Sequence, residues 1–372
     1  MRVRDLGVLE IGDGDVERWK RLSDRALEAN PFADPRFVLP SARHHFMGAG
    51  QRVVFVEDDD ELHLALLYTV QRVKVGRFTV KAVTTAETIA AFEGERFHPL
   101  VSPTDPVRAA GALLSSLAGV TGQGVLELQR LPSGGILAEA FATASDRLGL
   151  PHLDTETRDF VAFDSSTKDL PPASGVEIRA EHLSTRTRKG HRRRLSALTR
   201  EVGDDLAFVD IVDSPDAIDQ YLALQSAGWK GDAAQDGKAF ELTELDTWFR
   251  AVASEFRGDG RLAVYRLGTP SETVFMTVVL RAGTGAFGFH DAYNEAYAKL
   301  GPGAIGRLLE MELASTTGGS TYFDPSMDDT KYPTSVGLYP DARPYRSMLV
   351  GLRALPRMLV AAEARRRGRR SD

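Results

Sequence analysis

The chain has 372 residues, with 46 Lys and Arg against 52 Asp and Glu for a formal net charge of −6, and no cysteine. That length suits two domains better than one core, and 42% hydrophobic with 26% charged residues is the composition of a soluble globular protein. The acidic balance argues against a protein that coats nucleic acid, DNA included, and the missing cysteine excludes disulfides, thiolate nucleophiles and Cys-ligated metal sites.

The opening "MRVRDLGVLEIGDGDVERWK" lacks the ~7–15-residue apolar run of a signal peptide. No stretch approaches the ~18 apolar residues of a membrane span. The best candidate, "MLVGLRALPRMLVAA", is broken by Arg353, Arg357 and a proline. A cytoplasmic, soluble protein is expected.

In chain order, the pattern predicts a helix from Trp19 to Ala29, then a turn and a short second helix in "NPFADPRFVLPSARHH". "RVVFVEDDDELHLALLYTVQRV" reads as a hairpin around an acidic turn, and "RFTVKAVTT" as a further strand. "DPVRAAGALLSSLAG" reads as a helix capped by Asp105 with Pro106 at its first position. A strand "VLELQRL", a helix stopped by Gly149 and a strand "RDFVAFD" follow. The Pro-Pro segment 165–175 marks the domain boundary, giving domains 1–168 and 169–372. The second half opens with a basic helix over 184–201. It continues with a strand "LAFVDIV", a helix in "SPDAIDQYLALQSAGW", and a helix in "TELDTWFRAVASEF" with Thr243 as its cap. Three consecutive strands come next, then a helix behind Gly301-Pro302-Gly303, a strand "STYFDPS", and a C-terminal helix over "YRSMLVGLRALPRMLVAAEARRR". Each half thus runs strands, helix, strand, helix. The fold class expected is mixed α/β (α+β), in two tandem domains of similar topology.

Gly301, Pro302 and Gly303 precede Ile305, Leu308, Leu309 and Leu313, the spacing of one helix face. Glycines there permit close approach of a ligand, and the unpaired amides and positive end of a helix favour an anion. The spacing matches neither Gly-x-Gly-x-x-Gly nor a P-loop. A phosphate cradle and a plain tight connection both remain open on these residues alone.

Three segments carry a family resemblance: "TRKGHRRRL" (187–195), "SAGWKGDAAQDGKAF" (226–240) and "HDAYNEAYAKLGPGAIGRLLEMELASTTGGSTYFDPSMDDTKY" (290–332). They resemble the GNAT acyltransferases, and more narrowly the CelD/BcsL-type acetyltransferases, which have tandem GNAT-like halves and are similar to Fem-type aminoacyltransferases. The resemblance covers residues 184–345. It implies two tandem GNAT-like domains, acyl-CoA such as acetyl-CoA as co-substrate, and an amine acceptor that is a small molecule or sugar-linked. It also implies a donor loop at Gly301, Pro302, Gly303 and Ala304. GNAT enzymes carry Gln or Arg three residues before that loop. Here Ala298 stands there, with Lys299 beside it. Relatives often place Tyr before Lys where this chain has Lys331-Tyr332.

On this resemblance Asp291 is the preferred proton acceptor and substrate contact, with His290 as the alternative base, because acyl transfer needs a deprotonated amine. Asp324 ends the strand near the acyl carbonyl, or alternatively caps the Pro325 turn. Tyr332 would protonate the departing thiolate, and Lys331 would bind a phosphate or carboxylate. Trp229 and Lys230 would form a substrate lip, or Trp229 would pack in the core, with Tyr293 and Arg192 as further substrate contacts. The basic run Arg186, Arg188, Lys189, Arg192, Arg193 and Arg194 has three readings: contact with a phosphate-bearing ligand, grip on the tRNA of a Fem-type aminoacyl donor, or solvated surface. A degenerate pair that binds without turnover stays open as a third class. The tail "RRRGRRSD" with its preceding helix would touch anionic lipid peripherally or stay a free basic end. The eight histidines show no metal spacing, and no metal is expected.

Overall fold

The structure is a computed structural model and describes residues 1–59, 61–166, 168, 176–328 and 330–371. The side chains of Trp229, Arg370 and Ser371 lie outside that description, as does most of the expected boundary segment 165–175. The fold is mixed α/β, with mixed sheets flanked by helices. Two compact units form: Met1–Phe160 together with Arg343–Asp372, and Val161–Ala342.

The first unit opens with β1 (Arg2–Gly7), α1 (Asp13–Asp24) and α2 (Pro35–His44). The hairpin β2 (Arg52–Asp58) and β3 (Glu61–Val75) and the strand β4 (Phe78–Thr84) follow as expected. Next come α3 (Ile89–Gly94), β5 (Leu100–Val101) and α4 (Pro106–Thr121). The Asp105 carboxylate accepts from the Arg108 amide at 3.2 Å, which makes it the cap expected for α4. Then β6 (Val125–Pro132), α5 (Ile136–Arg147) and β7 (His152–Asp164) complete this stretch. β4 and β6 are parallel, pairing Val83 with Leu126 and Thr84 with Glu127. A parallel pair needs a crossover, and α4 lies within it.

The second unit repeats this order. α6 (Thr185–Val202), β8 (Ala207–Asp210), α7 (Ala217–Ser226) and α8 (Asp246–Gly258) lead into β9 (Leu262–Gly268), β10 (Thr273–Ala282) and β11 (Gly285–Tyr293). Thr243 does not cap α8; its hydroxyl donates back to the Ala239 carbonyl at 3.1 Å, and Leu245 holds the cap position. The strands β8 to β11 form an antiparallel meander. α9 (Pro302–Ala314) then crosses over to β12 (Tyr322–Asp324), which pairs parallel with the start of β11. A short helix, α10 (Pro333–Val336), closes the unit. Its core is formed by residues such as Leu198, Tyr265, Phe275, Ile305, Leu308 and Phe323.

The C-terminal segment departs from expectation. Residues 341–351 are a strand, β13 (Asp341–Gly351), and the helix α11 begins only at Ala354 and runs to Ser371. β13 pairs antiparallel with β6 from Tyr345–Pro132 to Gly351–Val125. Met348 and Val350 enter the core of the first unit beside Leu126 and Leu128. The sheet of that unit therefore runs β1-β2-β3-β4-β6-β13, and residues 343–372 belong with it rather than with 169–342. The division at 168 is corrected to 160/161 and 342/343, because ladder hydrogen bonds and apolar burial outweigh sequence proximity.

Candidate active site

In the second unit, β11 and β12 pair only over Gly285–Tyr322, Ala286–Phe323 and Phe287–Asp324. Beyond that point β11 runs on to Tyr293 beside β10 alone. A bulge at Phe289, between the Val278–His290 and Val279–Gly288 pairs, bends the strand there. The opening side of β11 faces α9, and several polar side chains meet on it.

Asp291 forms an ion pair with Arg307 of α9 (Oδ2 to Nε, 2.6 Å), and each side chain is about one quarter exposed. Arg307 also donates to the Ser335 hydroxyl at 2.6 Å, which ties α9 to α10. Thr277 lies opposite Asp291 in the ladder and donates to Glu310 at 2.7 Å. Glu310 is 3% exposed. Burial, reinforced by the nearby Asp291 charge, pushes its carboxyl up to about 8, against the opposing pull of the Thr277 hydrogen bond and Arg307. Burial works against the charge on Arg307, but Asp291 more than offsets it and holds the guanidinium firmly protonated. Burial raises the Tyr339 phenol well above its ordinary value, and so do the Glu310 and Asp291 charges. Tyr221 of α7 is fully buried and raised by burial and by Asp291. The Lys230 ammonium donates to the Asp291 carbonyl at 3.3 Å. One accessible carboxylate thus sits above a buried, largely protonated one, with an arginine between them in charge.

At the head of α9, Gly301 adopts a left-handed conformation (φ +67°), where a side chain would be strained. The first bond of the helix runs from the Ile305 amide to the Gly301 carbonyl at 3.2 Å. The amides of Gly303 and Ala304 lie ahead of it and have no acceptor inside the helix. Arg194 of α6 flanks this end, its Nη1 lying 3.7 Å from where a Gly301 side chain would begin. The Tyr293 ring lies 3.5 Å from the same point on Gly303. Lys299 is exposed in the preceding turn. Pro302 is buried and presets the helix.

The expected residues separate into groups. Asp291, Lys230, Tyr293, Lys299 and Gly301 to Ala304 lie on β11, the α9 entrance or beside them. His290 points to the other face of β11, packed among Phe240, Phe249 and Phe289 with ring centroids at 4.9, 5.9 and 4.3 Å. Successive strand residues face opposite ways, so His290 and Asp291 cannot substitute for each other. Asp324 is buried and accepts from the Ser326 amide at 2.8 Å, the turn-capping role. Lys331 and Tyr332 are exposed on a turn, with both amides bound to the Asp328 carbonyl. Arg192 donates to the Ile178 carbonyl at 2.9 Å, and from the basic run it is Arg194 that reaches the helix entrance. The Trp229 side chain lies outside the described residues.

Arg307, Glu310, Thr277, Ser335, Tyr221 and Tyr339 escaped the sequence reading. Arg307 and Glu310 stand three apart on a helix, which in sequence looks like a solvated ion pair. The signal was that the apolar pattern of α9 surrounds Glu310 on all sides, with Leu308, Leu309 and Met311 adjacent.

Residues 185–333 match the family model described as acetyltransferase (GNAT) domain, which covers less than half of the chain. No curated protein sequence matches the chain. Among solved structures, that of FemX superposes with a TM-score of 0.59 over 96% of this chain and 98% of its own, at 9% identity. A conserved protein of unknown function from Bacteroides thetaiotaomicron gives 0.57 at 10% identity, over 95% of this chain and 100% of its own. The C-terminal domain assigned to a lysylphosphatidylglycerol synthetase of Agrobacterium fabrum gives 0.51 at 13% identity, over 94% and 95%. At these identities the likeness is one of fold.

Proposed function

We propose that the chain is a GNAT-type N-acyltransferase of the CelD/BcsL kind, passing an acyl group from acyl-CoA to an amine by direct attack on the thioester. The observation that carries this reading is the left-handed Gly301 turn at the α9 entrance, flanked by Arg194, beside a strand pair that opens onto Asp291. The match of residues 185–333 to the GNAT domain model supports it.

Acyl-CoA supplies an activated acyl group in its thioester. The residues present fit a diphosphate: two amides free of helical acceptors, the positive helix end, and the cations Arg194 and Lys299. Asp291 accepts the proton of the acceptor amine, directly or through one water, as the nitrogen bonds the acyl carbon. The C–S bond breaks and CoA leaves as its thiolate, which takes up a proton from solvent. Arg307 holds that carboxylate in one orientation. Glu310, neutral near pH 7, keeps a second negative charge from forming beneath it. Lys230 and Tyr293 border the acceptor. Thermal-shift and calorimetric titration with acetyl-CoA tests the reading. A rise in Tm is expected, with affinity about tenfold lower in Arg194→Ala; no response at millimolar acetyl-CoA overturns it.

One observation favours a second reading, Fem-type transfer from aminoacyl-tRNA. The first turns of α6 hold Arg186, Arg188 and Lys189 with no acidic residue, against the sense of the helix dipole. Such a helix suits a polyanion. A salt-sensitive gel shift with charged tRNA, lost on replacing these three by Ala, would favour this reading; no binding at low salt removes it.

A further inference from the structure

α11, in the first unit, has two contrasting faces. Val360 and Glu363 are buried, and Val360 packs with Val73, Val75 and Ala82 of β3 and β4, joined by Leu359 and Ala364. On the other side Leu355, Met358, Ala362, Arg365, Arg366 and Arg369 recur at helical spacing within an arc of about 100°. All six are exposed. Leu355 at 66% and Met358 at 70% are the most exposed large hydrophobic side chains among the described residues. Over 354–371 the sequence has six arginines against one glutamate, in a chain whose net charge is −6. That glutamate, Glu363, pairs with Arg366 and Arg367, which leaves Arg365 and Arg369 facing outward without it.

We infer that this face of α11 is a docking surface for an anionic phospholipid bilayer. Leu355 and Met358 enter the boundary of headgroups and acyl chains, and Arg365 and Arg369 meet the lipid phosphates. Charge complementarity favours an anionic partner, and the two aliphatic side chains at the head of the stripe favour a lipid one. A nucleic acid would use cations with stacking aromatics, and α11 has no aromatic residue. Apolar area buried by the aliphatic pair and attraction of the arginines to anionic lipid are the two contributions that set the strength of interfacial binding. Two such side chains give reversible attachment, and none of the described helices is long and apolar enough to cross a membrane.

The test is co-sedimentation of the full chain with vesicles of phosphatidylcholine alone and of phosphatidylcholine with phosphatidylglycerol. The protein should partition onto the anionic vesicles and not onto the neutral ones. Arg365→Gln with Arg369→Gln should weaken partition about 25-fold, at about fivefold per arginine. Leu355→Asn with Met358→Asn should weaken it at least tenfold. Because the chain lacks cysteine, Met358→Cys carries a single polarity-sensitive dye, whose emission should shift to the blue only with anionic vesicles. The inference is overturned if the parent protein fails to sediment, binds both vesicle types equally, or is unaffected by the aliphatic pair. It is equally overturned if RNA is bound more tightly than vesicles and only the arginine pair matters. Unchanged melting curves for these surface variants keep loss of binding separate from loss of fold.

Discussion

Glu310 shows how one buried carboxyl ties the stability of the second unit to pH. Its proton is held to about pH 8, whereas the same group in an unfolded chain releases it near 4.5. The folded state therefore binds more protons than the unfolded state between those values. Its contribution to stability is full below about pH 4.5 and is lost as pH rises through about 8. The linkage amounts to no more than about 5 kcal/mol, at ~1.4 kcal/mol for each pH unit separating the two values. Glu310→Gln keeps a partner for the Thr277 hydroxyl and removes the titration. Denaturant melts should show the variant more stable than the parent at pH 9, with the gap closing as pH falls to about 4. Equal pH slopes for the two proteins would contradict the burial argument.

Asp291 is the complementary case, being partly exposed and clamped by Arg307. Asp291→Asn should lower the rate of acyl transfer by about 10²–10⁴ with little change in Tm, if it is the proton acceptor. Arg307→Lys retains the charge but loses the fork that spans Asp291 and Ser335. A smaller loss in kcat is expected, with the pH optimum moved, which steady-state kinetics across pH would read out. An Asp291→Asn enzyme of full activity would remove the residue from the mechanism.

At the scale of elements, α9 depends on close packing. A side chain added at Gly306 would begin 2.3 Å from the Phe275 ring of β10, which is itself fully buried. Gly306→Ala should thus cost about 1–3 kcal/mol through overpacking, visible as a lower denaturant midpoint with unchanged slope. Several elements were legible in the sequence for local reasons. The Asp105-Pro106 start of α4, the three-strand meander and the Gly301-Pro302 start of α9 each carry their own capping or turn chemistry. β13 was not legible. "YRSMLVGL" is a short apolar run next to helix-forming residues, and only its partner β6, some two hundred positions away in sequence, decides that it is a strand. The site was half legible for a similar reason. Asp291 and the Gly301 turn stand at strand and helix ends, whereas Glu310 gains its meaning from burial against Thr277 and Tyr339, which no local pattern reveals.

For the molecule as a whole, the decisive feature is that its last thirty residues complete its first unit. β13 satisfies β6 from Val125 to Pro132, and Met348, Val350 and Leu352 fill the core under α4 and α5. A chain cut at 168 would leave β6 with an open row of amides and carbonyls and a cavity where three large side chains had been. Each large-to-small loss at such a site costs about 2–5 kcal/mol, so three together are of the same size as the ~5–15 kcal/mol that holds a typical domain. Residues 1–168 alone should therefore lack a cooperative thermal transition and should aggregate. A circular permutant placing 343–372 through a flexible linker ahead of Met1, and ending at Phe160, should recover a single sharp melt by circular dichroism. If 1–168 melts cooperatively without that segment, the strand is dispensable and the assignment of residues 343–372 to the first unit is wrong in energetic terms.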